Sequence, residues 1–384
     1  MCSRAGDQLI IGMTKPYKLL TVEASYYGAK IQAYLDYKRI AYEPVLATRE
    51  AYEAEIIPRV GWPVVPIVIT PDDKTLQDTS EIIDELEARF SQTPVIPDGN
   101  CGRPLCLWLE LLADEWLKLP AMHYRWNYNR EFIVQEFGRN NDPELAPARQ
   151  REIGEKIAPR FEHWLPDIGV TAASQATVEA DYLELLGLLD RHFTQHKFLL
   201  GSAPSLGDFA WYGPLYAHLY RDPASGEILR QHAPALERWI LRLKAVPKSA
   251  SQPPPAHVPD TLLAPLRLLA RDFVPLLVNE AIALQRWLAD QTGDQPLPRH
   301  FGEHTVALGR NTNRLVSVTR KLFTYNQWML QRLIDACAAA SNRGEVEDEF
   351  NRIDADKLLR IALSERLVRR NFQLYRAADS GTPD

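Results

Sequence analysis

Residues 17 to 92 alternate short strand-like and helix-like stretches, and this alternation constrains the fold more than any other feature. Apolar and β-branched residues typical of strands dominate "YKLLTV", "YEPVLAT", "IVIT" and "TLQ". Helical stretches are indicated by "AKIQAYLDYKRI", "REAYEAEII" and "DTSEIIDELEARF". The proline and aspartates of "PDDK" favour a hairpin between the last two strands. The order β-α-β-α-β-β-α predicts an α/β layer with a parallel β-α-β half.

From about residue 103 the strand pattern ends and long helical periodicity begins, for example in "RPLCLWLELLADEWLKL" and "ATVEADYLELLGLLDRHF". Turn formers at residues 91–102 and a proline-rich stretch at residues 248–260 mark two boundaries. We therefore predict an α/β domain at residues 16–92, a helical domain at 103–247 and a helical extension at 260–384. The apolar faces of the extension must pack against another surface.

The composition excludes several classes of protein. The chain has 384 residues, 46% of them hydrophobic and 24% charged, which is typical of a globular protein with two or three domains. It carries 44 basic and 50 acidic residues, a net charge of -6, so no basic field favours nucleic-acid binding. No apolar run approaches the roughly 20 residues that span a bilayer. A small molecule or a protein is the expected partner.

The cysteines and the N-terminal stretch predict a cytoplasmic location. Cys2, Cys101, Cys106 and Cys337 are few and scattered, which favours free thiols in a reducing compartment. Cys101 and Cys106 lack the neighbouring ligands of a zinc site, and no metal is predicted. The stretch "MCSRAGDQLIIGMTKP" has neither the apolar length nor the small-residue pattern of a signal peptide.

Four local features occur in a fixed order between residues 16 and 245. They are the hydroxyl residues of "ASYYG", the proline of "VVPIVI", the helix start "LQDTSEII" and the S-x-x-D box that begins the apolar helix "SLGDFAWYGPLY". In these features the chain resembles the cytosolic glutathione transferase superfamily, with a motif similar to that of its serine-type members. The resemblance implies a thioredoxin-like first domain, a transferase-type helical second domain, glutathione as co-substrate and a homodimer.

The resemblance also assigns residues to glutathione. Pro66 by itself indicates only the start of an edge strand, whereas in the family this proline is cis and the residue before it, here Val65, pairs with the peptide backbone of glutathione. Asp78 and Thr79 alone are ordinary helix-capping types, but the family places such residues at the γ-glutamyl end. Arg59, the only cation in "PRVGWPVVP", is assigned to the glycine carboxylate.

The catalytic hydroxyl is expected between the first strand and the first helix, where this chain has Ser25, Tyr26 and Tyr27. Only the thiolate of glutathione is a good nucleophile, and a hydroxyl together with the positive end of a helix favours it. Ser25 matches the serine-type position, but it is also a typical N-cap residue. The two tyrosines supply the hydroxyl or wall the pocket. No cysteine occurs in this loop, which argues against a glutaredoxin-like route.

An aromatic cluster in "DEWLKLPAMHYRWNYN" has two interpretations. Trp116, His123, Tyr124 and Trp126 lie where similar proteins have the acceptor pocket, and aromatic density suits an apolar electrophile. The same residues also suit interdomain core packing. His123 has no partner at metal-ligand spacing.

Two hypotheses of function follow from the sequence. The first is a glutathione transferase-like enzyme that activates the glutathione thiol for attack on an apolar or aromatic electrophile. The second is a non-catalytic binding or structural protein on the same scaffold, because a fold alone does not establish an activity. In the second hypothesis the protein acts through its extension.

Overall fold

The computed structural model of the protein describes residues 15–245 and 253–377. Residues 1–14, 246–252 and 378–384 lie outside the described residues. These three segments contain Cys2, most of the N-terminal stretch, part of the proline-rich boundary and the ends of two predicted domains.

The N-terminal domain follows the predicted order of strands and helices. Its elements are β1 (Tyr17–Thr21), α1 (Tyr26–Lys38), β2 (Tyr42–Leu46), α2 (Arg49–Ala51), a π-helical turn (Tyr52–Ile56), α3 (Ile57–Val60), β3 (Ile67–Ile69), β4 (Thr75–Leu76) and α4 (Thr79–Arg89). The sheet has the strand order β2-β1-β3-β4. Strand β1 is parallel to β2 and antiparallel to β3, and β4 pairs antiparallel with β3. The predicted thioredoxin-like α/β layer is confirmed.

Burial of both faces explains why β1 has two adjacent apolar residues, Leu19 and Leu20. Leu19 belongs to the main core with α1 and α4, whereas Leu20 belongs to a smaller cluster with Ile56 and Val60. Successive side chains of a strand point to opposite faces, so a strand covered on both sides cannot alternate apolar and polar residues.

The second domain is helical, as predicted. Its elements are α5 (Gly102–Leu111), a π-helical turn (Leu112–Trp116), α6 (Lys118–Tyr128), α7 (Arg130–Asn141), α8 (Pro147–Ile157), α9 (Pro159–Glu162), α10 (Trp164–Asp167), α11 (Gln175–Gln195), α12 (Leu206–Ala217), α13 (Pro223–His232) and α14 (Pro234–Lys244). Helix α12 is buried throughout and begins with the predicted box, in which Asp208 accepts from the backbone N–H of Ser205 at 2.8 Å. It packs against both α1 and α5, so it joins the two domains.

The extension forms a third layer on the helical domain. Its elements are α15 (Asp260–Ala289), β5 (His300–Leu308), β6 (Val316–Phe323), α16 (Thr324–Ala339), α17 (Arg343–Arg352), a 3₁₀ turn (Asp356–Arg360), β7 (Leu367–Arg370) and β8 (Gln373–Arg376). Helix α15 packs on α11, and α16 packs on α5 and α15. Among the described helices, none has the length and apolar composition of a membrane span.

The extension contains the predicted helices, but the prediction of helix alone missed two antiparallel hairpins, β5–β6 and β7–β8. The first hairpin buries alternate residues such as Val306, Leu308 and Val318, but polar residues fill its other face and weaken the apolar signal. In the second, Asn371 and Phe372 form the two-residue turn with φ of 47° and 64°. Positive φ at both positions favours Asn or Gly, so Phe372 conceals the usual sequence signal of such a turn.

Candidate active site

Ser25 caps the N-terminus of α1. Its backbone is extended, and its Oγ accepts a hydrogen bond from the backbone N–H of Gly28 at 3.0 Å. A Cβ at position 28 would collide with Thr21 Oγ1, so only glycine lets β1 end this close to the first turn of α1. Ser25 is half-buried, and its hydroxyl donates to no other described residue. It therefore keeps a hydroxyl proton available to a ligand.

The two neighbouring tyrosines have partners for their hydroxyls. Tyr26 is buried and donates to the backbone carbonyl of Ala113, and Tyr27 donates to that of Asp114 at 3.0 Å. Burial raises the pKa of both tyrosines well above the usual value, and nearby carboxylates raise it further. Both phenols therefore stay protonated at neutral pH.

Val65 and Pro66 open β3 as the sequence indicates, and the peptide bond between them is cis. Pro66 is buried and Val65 is half-buried. Neither the N–H nor the C=O of Val65 has a hydrogen-bond partner among residues 15–245 and 253–377. The backbone of Val65 is thus free to pair with an extended peptide.

Asp78 and Thr79 lie at the start of α4, but they differ in environment. Asp78 is the N-cap, and its Oδ1 accepts from the N–H of Ser80 at 2.9 Å while its carboxylate stays 20% exposed. A second cis peptide bond joins Gln77 to Asp78. Thr79 is buried, and its hydroxyl accepts from Nζ of Lys30 at 3.1 Å.

Lys30 is the centre of a buried charge cluster beneath these residues. Its ammonium also donates to Glu110 Oε1 and Asp114 Oδ2, each at 2.7 Å. Burial raises the pKa of Asp114 to about 7 despite Lys30. Burial alone would also raise the pKa of Glu110, but Lys30 and Arg332 outweigh it and bring the value to about 2. The cluster thus fixes α1, α4 and α5 relative to one another.

Arg59 is turned toward the β3–β4 hairpin. Its guanidinium donates to the carboxylate of Asp73 at 2.7 Å and to the hydroxyl of Thr75 at 3.3 Å. These contacts direct Nη1 and Nη2 of Arg59 toward the hairpin, and its Nε–H has no partner among the described residues.

The four aromatic residues assigned to the acceptor pocket lie in separate packing contacts. The ring of Trp116 stacks on Phe273 of α15, with centroids 5.1 Å apart. His123 is buried and hydrogen-bonds Glu179 at 2.9 Å, and burial lowers its pKa. The remaining ring contacts are Tyr124 with Tyr182 at 5.1 Å and Trp126 with Phe137 at 5.9 Å. These contacts correspond to the core-packing interpretation.

The extension brings three residues to this site that the sequence did not indicate. Arg369 donates to the carbonyl of Gln77 at 3.3 Å and to its side-chain Oε1 at 2.7 Å. Phe372 packs against the smaller apolar cluster of the N-terminal domain, as Val65 also does. Burial raises the pKa of Tyr325 of α16 well above its usual value, and the charge of Asp78 raises it further, so this tyrosine is within electrostatic range of Asp78. No local pattern could have placed residues so distant in sequence at the site.

Metal ligands are absent from the described part of the chain. No group of three or more His, Cys, Asp or Glu side chains within residues 15–245 and 253–377 is placed to hold a metal ion. Cys101, Cys106 and Cys337 are buried free thiols.

Comparison with known proteins identifies the family. Residues 19–94 match the glutathione S-transferase N-terminal domain, and residues 143–247 match the glutathione S-transferase C-terminal domain. With the thioredoxin-like sheet and the helical domain described above, the chain belongs to the glutathione transferase superfamily over these residues. The extension lies beyond both matches. No curated protein sequence matches the chain.

Several solved structures are similar to the chain. A glutathione S-transferase from Rhodospirillum rubrum F11 is 17% identical, covers 64% of this chain and 99% of its own, and has a TM-score of 0.41. One from Methylobacterium radiotolerans, in complex with glutathione sulfonate, is 20% identical, with coverage of 62% and 97% and a TM-score of 0.38. One from Methylobacillus flagellatus with glutathione bound is 19% identical, with coverage of 60% and 99% and a TM-score of 0.37.

Proposed function

We propose that this protein is a glutathione transferase-like enzyme in which Ser25 activates the thiol of glutathione. The observation that carries the proposal is the contrast among the three hydroxyls before and within the first turn of α1. Ser25 keeps its proton free for a ligand, whereas Tyr26 and Tyr27 donate to backbone carbonyls. Ser25 is therefore the hydroxyl suited to hold the sulfur.

The chemistry follows from the position of Ser25 at a helix N-terminus. A hydrogen bond from Oγ to sulfur favours the thiolate, and the positive end of α1 acts in the same direction. The thiol loses its proton to solvent, and the thiolate attacks the electrophilic carbon. A carbon–sulfur bond forms while a leaving group departs with the electron pair of its bond to that carbon, or, in an addition, while a π bond breaks and the resulting carbanion takes a proton from solvent. Ser25 would stabilise the charged sulfur without itself becoming deprotonated.

The rest of glutathione would extend from α1 across β3 to α4. The unpaired backbone of Val65 would hold its peptide backbone, and Asp78 at the exposed start of α4 would meet the γ-glutamyl ammonium group. Thr79 would act indirectly through Lys30, since its hydroxyl is buried. We retain Arg59 as a candidate for the glycine carboxylate, since its contacts with Asp73 and Thr75 leave donors of the guanidinium unused.

For the acceptor we propose an apolar or aromatic electrophile. Two half-buried aromatic rings support this choice, because Tyr27 lies in the first turn of α1 and Tyr325 lies near Asp78. This acceptor site differs from the predicted one, since Trp116, His123, Tyr124 and Trp126 are engaged in packing.

The test compares wild type with Ser25→Gly. Glycine is an acceptable N-cap that costs only a few tenths of a kcal/mol, so this variant removes the hydroxyl while largely keeping the helix start. Calorimetry should give similar glutathione affinity for both proteins. Thiolate absorbance of bound glutathione and turnover of a model aromatic electrophile should fall about 10- to 100-fold, as expected for loss of a hydrogen bond to a charged group. Ser25→Thr, which keeps a hydroxyl, is the matched control.

Two results would contradict the proposal in different ways. Unchanged thiol ionisation and turnover in Ser25→Gly would show that Ser25 is only a helix cap. Absence of glutathione binding to wild type at millimolar concentration would favour the non-catalytic alternative. The observation that favours this alternative is the β7–β8 hairpin, which lies against Gln77 and the apolar cluster of Val65.

The homodimer and the cytoplasmic location stay part of the proposal. The family resemblance implies the first, and the scattered cysteines predict the second. Sedimentation velocity distinguishes one chain from two, and fractionation of cells that produce the protein tests its location.

A further inference from the structure

Arg299, the residue before β5, stacks on a tryptophan but forms no ion pair with the described residues. Its central carbon Cζ lies 3.6 Å from the ring centroid of Trp164 in α10. At this distance only the flat face of the guanidinium fits over the ring, because an edge-on nitrogen would collide with it. The guanidinium also makes no hydrogen bond to residues 15–245 or 253–377. Stacking therefore holds the group in place and leaves its in-plane N–H donors unused.

A series of measured contacts leads from the first turn of α1 to the β5–β6 hairpin of the extension. The hydroxyl of Tyr27 donates to the carbonyl of Asp114 at 3.0 Å. The next residue, Glu115, accepts from Nζ of Lys118 at 2.6 Å. This Nζ lies 6.0 Å from the ring centroid of Phe323, the last residue of β6. The base of the hairpin therefore adjoins the side of the site on which Tyr27 lies.

Arg299 lies at this base of the hairpin. His300, which follows it, pairs with Phe323 across the two strands, and the backbone N–H of Thr324 donates to the carbonyl of Arg299 at 3.3 Å. Arg299 is exposed, yet the surrounding protein desolvates its guanidinium enough to lower its pKa, with Tyr27 in electrostatic range. An exposed side chain with so much protein around it lies in a crevice. The guanidinium keeps its charge at neutral pH and is open to a ligand.

The acidic groups near Arg299 leave its charge without a direct partner. Glu115 and Asp167 are both in electrostatic range. Glu115 is buried and already pairs with Lys118, and Asp167 is half-buried without an ion pair to Arg299. The crevice thus combines a free cation with the aromatic surface of Trp164.

A flat aromatic ring that carries a carboxylate matches both features. The ring packs against aromatic surface, and the carboxylate accepts two parallel hydrogen bonds, from Nη2 together with either Nε or Nη1. Arg299 stacks on the helical domain, whereas Val65, proposed to hold the peptide backbone of glutathione, packs against the smaller cluster of the N-terminal domain. We therefore assign the carboxylate to the acceptor and not to glutathione.

We propose that Arg299 of the extension binds a carboxylate of the acceptor, so that the preferred substrate is an anionic aromatic electrophile. This rests on the proposed function, since it names the acceptor class of the same site. In this role Arg299 contacts the carboxylate and not the carbon that sulfur attacks. It stabilises the bound substrate and the transition state equally, so it lowers KM and leaves kcat unchanged.

The experiment compares two electrophiles with the same leaving group, neutral chlorodinitrobenzene and its carboxylate-bearing analogue chlorodinitrobenzoate. In both reactions the thiolate sulfur bonds to the ring carbon, and chloride departs with the electron pair of its bond to that carbon. Each kcat/KM is divided by the rate constant of the uncatalysed reaction with glutathione, which removes the difference in intrinsic reactivity. Wild type should then prefer chlorodinitrobenzoate about 10- to 100-fold, the range for charge-assisted hydrogen bonds.

The variants assign this preference to one residue. Arg299→Gln should raise the KM for chlorodinitrobenzoate about 10- to 100-fold and leave its kcat and both constants for chlorodinitrobenzene unchanged. Arg299→Lys, which keeps the charge without the planar set of donors, should retain part of the preference. Arg370→Gln is the matched control and should behave as wild type, because Arg370 is another exposed arginine of the extension that lies over a ring, that of Tyr375 at 4.1 Å.

A measurement on wild type alone decides the matter if Arg299→Gln does not fold. The preference for chlorodinitrobenzoate should fall as salt is added, because salt screens an exposed charge, whereas turnover of chlorodinitrobenzene should stay constant. No preference at low salt would overturn the inference.

Other outcomes separate this inference from the proposed function. If wild type turns over both electrophiles and Arg299→Gln keeps the same preference, the role of Arg299 is overturned and the proposed function stands. A loss of glutathione affinity in Arg299→Gln, measured by calorimetry, with the preference intact would show that Arg299 binds a carboxylate of glutathione instead. Wild type that turns over neither electrophile would overturn the proposed function as well.

Discussion

The extension meets the two transferase domains through different chemistry. Against the helical domain it places the apolar side of α15, where Phe273 stacks on Trp108 and Trp116 with ring centroids 6.0 and 5.1 Å away. Against the N-terminal domain it places two arginines in addition to the ring of Phe372. Arg332 pairs with Asp84 at 2.8 Å, and Arg369 contacts Gln77 at 2.7 Å.

The difference indicates separate roles for the two contacts. Apolar burial is nondirectional and supplies most of the free energy that holds the extension in place. Arginine contacts contribute less net free energy, but their geometry is specific. We infer that α15 fixes the extension and that the arginines define what it presents at the start of α4.

The largest change in stability is expected from a variant that breaks the apolar contact. Phe273→Ala should lower the free energy of unfolding by about 3–5 kcal/mol, the range for removing a buried phenylalanine ring. Phe273 is fully buried between two tryptophans, so little collapse into the cavity is expected. Urea denaturation followed by tryptophan fluorescence measures the change.

The control for this prediction is Phe273→Leu, which keeps most of the apolar volume and should cost less than about 1.5 kcal/mol. An equal loss in both variants would contradict the argument, because it would show that volume at this position does not decide the stability of the contact.

A smaller effect is expected from the arginine contact. Arg332→Met should lower the free energy of unfolding by about 1–3 kcal/mol, because Glu110 would stay buried with one cation fewer. The pKa of Glu110 is lowered from 4.5 to about 2, so its stabilising charge is present above pH 4.5 and is lost as the pH falls toward 2. The difference between wild type and variant, measured by denaturation, should therefore shrink over this interval.

Arg49 provides the matched control for removal of an arginine. Its pair with Glu53 is exposed, and Arg49→Ala should change stability by less than about 0.5 kcal/mol. The argument fails if Arg332→Met is as mild as Arg49→Ala at neutral pH.

The smallest effect appears only as a pH dependence and concerns Glu280 of α15. Burial raises the pKa of this carboxyl group from 4.5 to about 7. Between these values the folded state keeps a proton that the unfolded state releases, so the contribution of Glu280 to stability falls as the pH rises, by at most about 1.4 kcal/mol per pH unit. Glu280→Gln should flatten this part of the curve of unfolding free energy against pH.

The titratable groups around Glu280 come from several elements. They are Glu115 near α6, His304 on β5 and Arg320 on β6. The pKa of Asp114 is also raised to about 7, so its contribution to stability likewise falls as the pH rises. This contribution stays in the Glu280→Gln variant. A curve for Glu280→Gln as steep as that of wild type would assign the whole dependence to Asp114 and other groups.

Much of the N-terminal and helical domains could be predicted because their signals are local. The strand–helix order, the cap at Ser25 and the box of Ser205 and Asp208 depend on residues close together in sequence. The hairpins of the extension were missed because their alternation is weak and because Phe372 takes a turn position that favours Asn or Gly.

Ser25 and Thr79 show where local prediction ends. Both are hydroxyl residues at the start of a helix, and the sequence treats them alike. In the folded chain Ser25 keeps a free hydroxyl proton, whereas Thr79 is buried against Lys30. The distinction comes from Glu110 of α5 and Asp114 of the π-helical turn that follows it, because their carboxylates bind the ammonium of Lys30, which also donates to Thr79.

The sequence by itself determined the family and the order of the elements in the N-terminal domain, because both depend on short patterns of residue type and spacing. Only the tertiary structure decided which hydroxyl is free and that Arg369 lies beside Gln77, 292 positions away. Contacts of this kind depend on how α15 and α16 pack as whole helices, and no local pattern contains that information.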